Sequence, residues 1–91
     1  PEAINQAVLE YLNKPEHLSP MLDMIEILLE EEGPISMKVT KMTTKKLYLH
    51  YTTFYQKESD ATIDLFEPVF TMKDCQRVLK KMMDHTKETK D

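Results

Sequence analysis

With one glycine, one cysteine and no tryptophan among 91 residues, the chain is poor in the residues that build most recognisable chemistry. A single glycine, Gly33, cannot make a glycine-rich phosphate cradle, which excludes the common ATP, GTP and dinucleotide loops. A lone cysteine, Cys75, excludes an internal disulfide and leaves no ligand pair for a structural zinc, so a reducing, cytoplasmic setting is expected. Long apolar runs are missing too. None approaches the roughly 20 residues that cross a bilayer, and Pro1 to Asn5 lack the basic start of an export signal. Pro1 reads equally well as the residue after an excised initiator methionine and as a trimmed start.

What is present is ordinary for a folded globule: 41% hydrophobic and 31% charged residues. A chain this short buries roughly 60 to 68% of its unfolded surface, enough for one modest core, and one domain over residues 1–91 is expected. The net charge of −4 is unevenly placed. Residues 1–34 carry one lysine against eight acids, whereas residues 35–91 carry eleven bases against eight acids. Such asymmetry bears on association more than on fold.

Residues 1–14 place Ile4, Val8, Tyr11 and Leu12 on one side of an amphipathic helix that Lys14-Pro15 closes. Residues 19–33 are the most distinctive stretch. Met21, Leu22, Met24, Ile25, Ile27, Leu28 and Leu29 make a nearly all-round apolar helix, interrupted only by an acidic stripe of Asp23, Glu26 and Glu30. Ser19 and Pro20 form its expected start and Gly33-Pro34 its expected stop. Glu30-Glu31-Glu32 oppose the dipole at that helix end, so a basic neighbour is expected, with Lys38 and Lys41 the nearest in sequence.

From Ile35 the period changes to two. Ile35, Met37 and Val39 alternate with polar residues, Leu47 to Tyr55 reads as a central strand with apolar residues on both faces, and Ala61 to Phe66 reads as a third strand after a Lys57–Asp60 turn. Residues 35–66 are therefore an antiparallel sheet. Thr71 and Asp74 form a capping box for a helix over 71–86, with Cys75, Val78, Leu79, Met82 and Met83 on its packing face, and residues 87–91 are expected to fray. The fold class is α+β, order ααβββα, a two-layer domain with a three-stranded meander packed against helices.

No catalytic, cofactor or metal signature accompanies this pattern. His17, His50 and Cys75 fall on a loop, a strand and a helix with no shared spacing; Cys75 reads as a buried hydrophobe and His50 as a half-buried, hydrogen-bonded residue. Seven methionines suit either core filling or an adaptable groove made by the second and last helices. The expected function is a non-enzymatic protein-interaction module, a small regulator or inhibitor that also self-associates, with Met21, Met24, Ile27, Leu28 and Glu30 at the interface. The alternative is a nucleic-acid-associated regulator using Lys38, Lys41, Lys45 and Lys46 on the first hairpin and Arg77, Lys80 and Lys81 on the last helix. Met21 to Ser36, an apolar helix running into Glu-Glu-Glu-Gly-Pro-Ile-Ser, resembles the first helix and turn of winged-helix domains, a nucleic-acid-binding family. Met37 to Thr44 then alternates like a strand and supplies no recognition helix, so the resemblance stops there.

Overall fold

Proline and helix geometry set the first boundary. Lys14 is extended (φ −62°, ψ 143°), as a residue before proline must be, and it ends the first helix, α1 (Gln6–Leu12). The computed structural model describes residues 6–90, so the expected helix start at Glu2 to Asn5 and the terminal Asp91 lie outside the described residues. A 3₁₀ turn over Pro15–His17 leads directly into α2 (Leu18–Leu28). Helix α2 thus starts one residue before the expected Ser19 cap, because the chain is already turning through His17, and Pro20 still sits in the first turn, where its missing N–H costs nothing.

The other end of α2 also differs from expectation. The helix stops at Leu28, and the left-handed residue that reverses the chain is Glu30 (φ 52°). Glu30, Glu31 and Glu32 therefore lie beyond the helix. Glu31 is held from the sheet side by the Tyr51 hydroxyl, which donates at 2.5 Å, and by Lys57 Nζ at 2.9 Å. The basic neighbour is Lys57, not Lys38 or Lys41. Gly33 is also left-handed (φ 65°), the backbone conformation that favours glycine, while a Cβ there would meet Phe54 Cβ only at an ordinary contact distance of 3.4 Å.

Strands β1 (Pro34–Met42), β2 (Lys46–Thr53) and β3 (Glu58–Asp64) form an antiparallel sheet in the order β1-β2-β3. This is the expected meander with β2 central. Two irregularities in β1, at Ile35 and Thr40, break the simple alternation. They turn Val39 and Met42 both inward and leave Ile35 exposed, contrary to its expected place beside Met37 and Val39. Strand β2 ends two residues before Tyr55. Phe54 to Lys57 make the turn, with Gln56 left-handed (φ 65°), so β3 starts at Glu58, where a turn was expected.

Leu47, Leu49, Tyr51 and Thr53 bury one face of β2, while Tyr48, His50 and Thr52 on the other remain partly open. All helices cover the first face. Met21, Met24 and Ile25 of α2 are wholly buried there, with Val8 and Leu12 of α1 and Cys75, Val78, Leu79 and Met82 of the last helix, α3 (Met72–Lys90). The expected cap of α3 forms in a shifted version: Thr71 Oγ1 accepts from Asp74 N–H at 3.1 Å, and the Asp74 carboxylate reaches back one residue further, to Phe70 N–H at 3.0 Å. The helix does not fray at residue 87. It continues to Lys90, whose ammonium reaches Asp23 at 3.1 Å and Glu26, so the acidic stripe of α2 is answered by the end of α3.

Because Met24 has no exposure and belongs to the core cluster, Met24→Ala should remove about 2 to 5 kcal/mol of stability. Urea unfolding would show this as a lower midpoint at unchanged slope. A loss below about 1 kcal/mol would contradict a close-packed site.

Candidate functional site

Between α3 from Gln76 to Lys87 and the start of α2 lies an open groove of about 690 Å³. Tyr11, Pro20, Leu79 and Met83 form its apolar floor, with Asp23 and Lys87 on the rim. Methionine placement decides between the two readings of that residue. Met21, Met24, Met42 and Met82 are buried in the core, Met37, Met72 and Met83 are half-buried, and Met83 alone lines this groove. The expected groove between the second and last helices exists, but part of its lining, Tyr11 and Pro20, comes from residues that the sequence reading gave only a helix-packing or helix-start role. The signal available for Tyr11 was its place beside Leu12 at the end of an amphipathic helix.

The expected interface residues are dispersed. Met21 and Met24 face the chain's own core, Ile27 and Leu28 are half-buried, and Glu30 is exposed on the turn after α2. Leu28 joins Leu29, Ile63, Leu65 and Phe66 around a second, smaller groove of about 410 Å³ beside β3. Three further apolar side chains are prominent at the opposite tip of the sheet: Ile35, Phe54 and Tyr55 are 54%, 72% and 68% exposed.

The basic residues singled out for nucleic acid are brought together only in part, and most are already engaged. Lys46 binds Asp64 at 3.0 Å, Lys80 binds Asp84 at 3.0 Å, Arg77 binds Glu67 at 2.6 Å, and Lys81 shares the same Glu67. Lys41 lies over the Tyr48 ring at 5.3 Å. Among the described residues, Lys38, Lys41 and Lys45 make no ion pair. No helix follows the α2 turn, so the winged-helix resemblance ends where the sheet begins.

Each candidate for chemistry has a local account. Cys75 is buried without exposure, and that burial pushes its thiol up to about 11, which keeps it protonated. His50 lies on the open face of the sheet between Asp60 (Nδ1, 2.8 Å) and Glu58 (Nε2, 3.1 Å), and these hydrogen bonds raise its pKa above the ordinary imidazole value. His17, expected on a loop, is half-buried at the start of α2. Its Nδ1 lies 2.7 Å from the Tyr11 carbonyl, and its ring meets the Tyr11 ring edge-on at 4.6 Å, beside the groove. Among the described residues no three His, Cys, Asp or Glu side chains cluster for a metal, and no helix is long and apolar enough to cross a membrane.

These features define a class, a three-stranded two-layer α+β domain with a groove at one end of its helical layer. No protein-family model matches the sequence, and no curated protein matches it either. Among solved structures the same fold occurs in a heme binding protein from Mycobacterium smegmatis, with a TM-score of 0.75 and 16% identity over 90% of this chain. The chain spans 33% of that protein's length. The likeness establishes the fold.

Glu67 offers a clean pH signature. Hydrogen bonds from Lys81 and Arg77 lower its pKa from 4.5 to about 2. A depressed carboxylate contributes stability above its unfolded value and loses it as pH falls through the folded one. Wild type should therefore lose more stability between pH 4.5 and about 2 than Glu67→Gln, followed by circular dichroism in acid. Superimposable acid curves would show that the Arg77-Glu67-Lys81 cluster does not tie α3 to the preceding loop.

Proposed function

We propose that the chain is a non-enzymatic, cytoplasmic protein-interaction module that seats an apolar-faced helix of a partner in the α2–α3 groove. The observation that carries this reading is the groove's floor: Tyr11, Pro20, Leu79 and Met83 supply apolar area with a polar rim, the arrangement that recognises a helix by its i, i+3, i+4 and i+7 anchors. Met83 gives the floor an adaptable side chain that can repack against different anchors. A second copy of the chain is the alternative occupant, and sedimentation reports it directly. Lys46, Arg77, Lys80 and Lys81 each sit against a carboxylate that offsets their positive field, which counts against nucleic acid.

Met83→Glu places a charge on that floor at a half-buried position. Affinity capture from cytoplasm with wild type and this variant, both shown to melt at the same temperature, should recover a partner with the first and lose it with the second. Identical recoveries overturn the groove as the docking site.

A second reading is favoured by His17. Heme iron needs an axial His, Cys, Met or Tyr, and a ligating histidine typically donates its other ring N–H to a backbone carbonyl, fixing the tautomer. Cys75 is buried and protonated, and His50 is flanked by carboxylates, so neither suits the role. His17 does suit it: Nδ1–H donating to the Tyr11 carbonyl leaves Nε2 as the lone-pair nitrogen, on a ring packed against Tyr11, which lines the groove. The fold neighbour is a heme binding protein, and here a bound heme would supply an iron for His17 to hold. Titration with hemin should then give a shifted Soret band that His17→Ala abolishes and His50→Ala retains. An unshifted band at micromolar hemin, or one that survives His17→Ala, removes this reading.

A further inference from the structure

The two edges of the sheet are unlike. On β1 the side-chain amide of Asn13 imitates a neighbouring strand, its Nδ2–H donating to the Val39 carbonyl at 3.0 Å and its Oδ1 accepting from the Val39 N–H at 2.8 Å. That clamp, with the two irregularities in β1, closes the β1 edge to another strand. The β3 edge has no such cover. Hydrogen bonds from Thr53 N–H to the Lys57 carbonyl and from Leu65 N–H to the Lys45 carbonyl set the phase of the β2–β3 ladder. In an antiparallel ladder alternate residues face the partner strand, so Ser59, Ala61 and Ile63 bond to β2 and Glu58, Asp60, Thr62 and Asp64 turn their backbone groups outward. Among the described residues, no hydrogen bond is made on that outer side.

The same four residues project their side chains onto the open face of the sheet. Glu58, Asp60 and Asp64 remain 69%, 90% and 80% exposed even while pairing inward with His50 and Lys46. On the opposite side of the edge lies the groove of about 410 Å³ lined by Leu28, Leu29, Ile63, Leu65 and Phe66. An incoming strand would thus meet unpaired backbone groups, an acidic row on one face and an apolar trough on the other.

We propose that the β3 edge accepts an extended segment of a partner in which basic and apolar residues alternate. A second copy of β3 does not fit this description. Antiparallel pairing about Asp60 or Thr62 sets Asp60 against itself or against Asp64, and pairing about Ala61 sets Glu58 against Asp64, so these registers oppose like charges. The partner's main chain supplies affinity, and its alternate side chains supply specificity through the acids and the trough. This inference shares with the groove reading only the premise that the chain binds protein; the surfaces are separate, and each fails alone.

The test uses a short blocked peptide alternating lysine with valine, titrated into isotope-labelled protein at low salt. The expected result is saturable binding with amide shifts centred on Glu58, Asp60, Thr62 and Asp64, weakening as salt is raised. Thr62→Pro removes one outward N–H without touching the β2 ladder, a substitution edge strands tolerate, and should weaken binding by about tenfold or more. Asp60→Lys tests the same claim without proline: it should weaken the lysine peptide and improve a matching glutamate-valine peptide. Absence of binding at low salt, shifts confined to the α2–α3 groove, or equal affinity of wild type for the lysine and glutamate peptides would each overturn the proposal.

Discussion

Covering α2 is the constraint on which the rest of the molecule depends. Met21, Met24 and Ile25 have no exposure, yet they sit on a helix of only eleven residues whose neighbours Leu22, Ile27 and Leu28 are also apolar. Burying one such side chain is worth roughly 1.5 to 3 kcal/mol, and no single flat surface can cover a helix that is apolar nearly all round. Two covers are needed. The inward face of the sheet provides one, and α3 provides the other, which explains why α3 is nineteen residues long in so small a chain. The ion pairs from Lys90 to Asp23 and Glu26 then close the far end, where apolar contact gives out. These surface pairs contribute little energy individually, but they fix where α3 lies along α2.

Both outer surfaces of functional interest follow from that arrangement. Since all helices gather on one face, the other face of the sheet is left to Tyr48, His50 and Thr52, and charge replaces packing as its organising principle. The packing of α3 against α2 leaves the groove floored by Leu79 and Met83, with Tyr11 entering from the end of α1. The sheet edges show complementary solutions to one hazard. An unpaired edge invites indiscriminate strand addition; on β1 an amide side chain fills the place of the missing strand, and on β3 a row of carboxylates repels copies of itself.

Element type and order were legible in the sequence because period and punctuation agree there. Apolar spacing of three and four marked α1, α2 and α3, alternation marked the sheet, and Thr71 with Asp74 announced the last helix in advance of its capping geometry. The boundaries were not legible, for an identifiable reason. Glu30 and Gln56 occupy left-handed backbone positions that glycine or asparagine usually signal, so a glycine-poor chain hides its own turns. The turn at Gln56 was read three residues late, and the end of α2 was placed at the visible glycine. The α3 tail was misjudged because its stabilising contacts come from α2, sixty-odd positions away, which local charge content does not reveal.

His17 illustrates what local reading leaves out at a site. In sequence it stands after proline among polar residues, a setting that implies solvent. In the fold it caps α2 through its backbone, packs edge-on against Tyr11 and has Nδ1 tied to a carbonyl six residues earlier. A histidine with one nitrogen so fixed is an oriented donor or acceptor at the other, whatever its eventual use. The groove and His17 are coupled through Tyr11, whose ring serves as floor for the one and as packing surface for the other. Any occupant large enough to displace Tyr11 must therefore disturb the hinge between α1 and α2, so the groove's capacity is set by that turn as much as by the helices that line it.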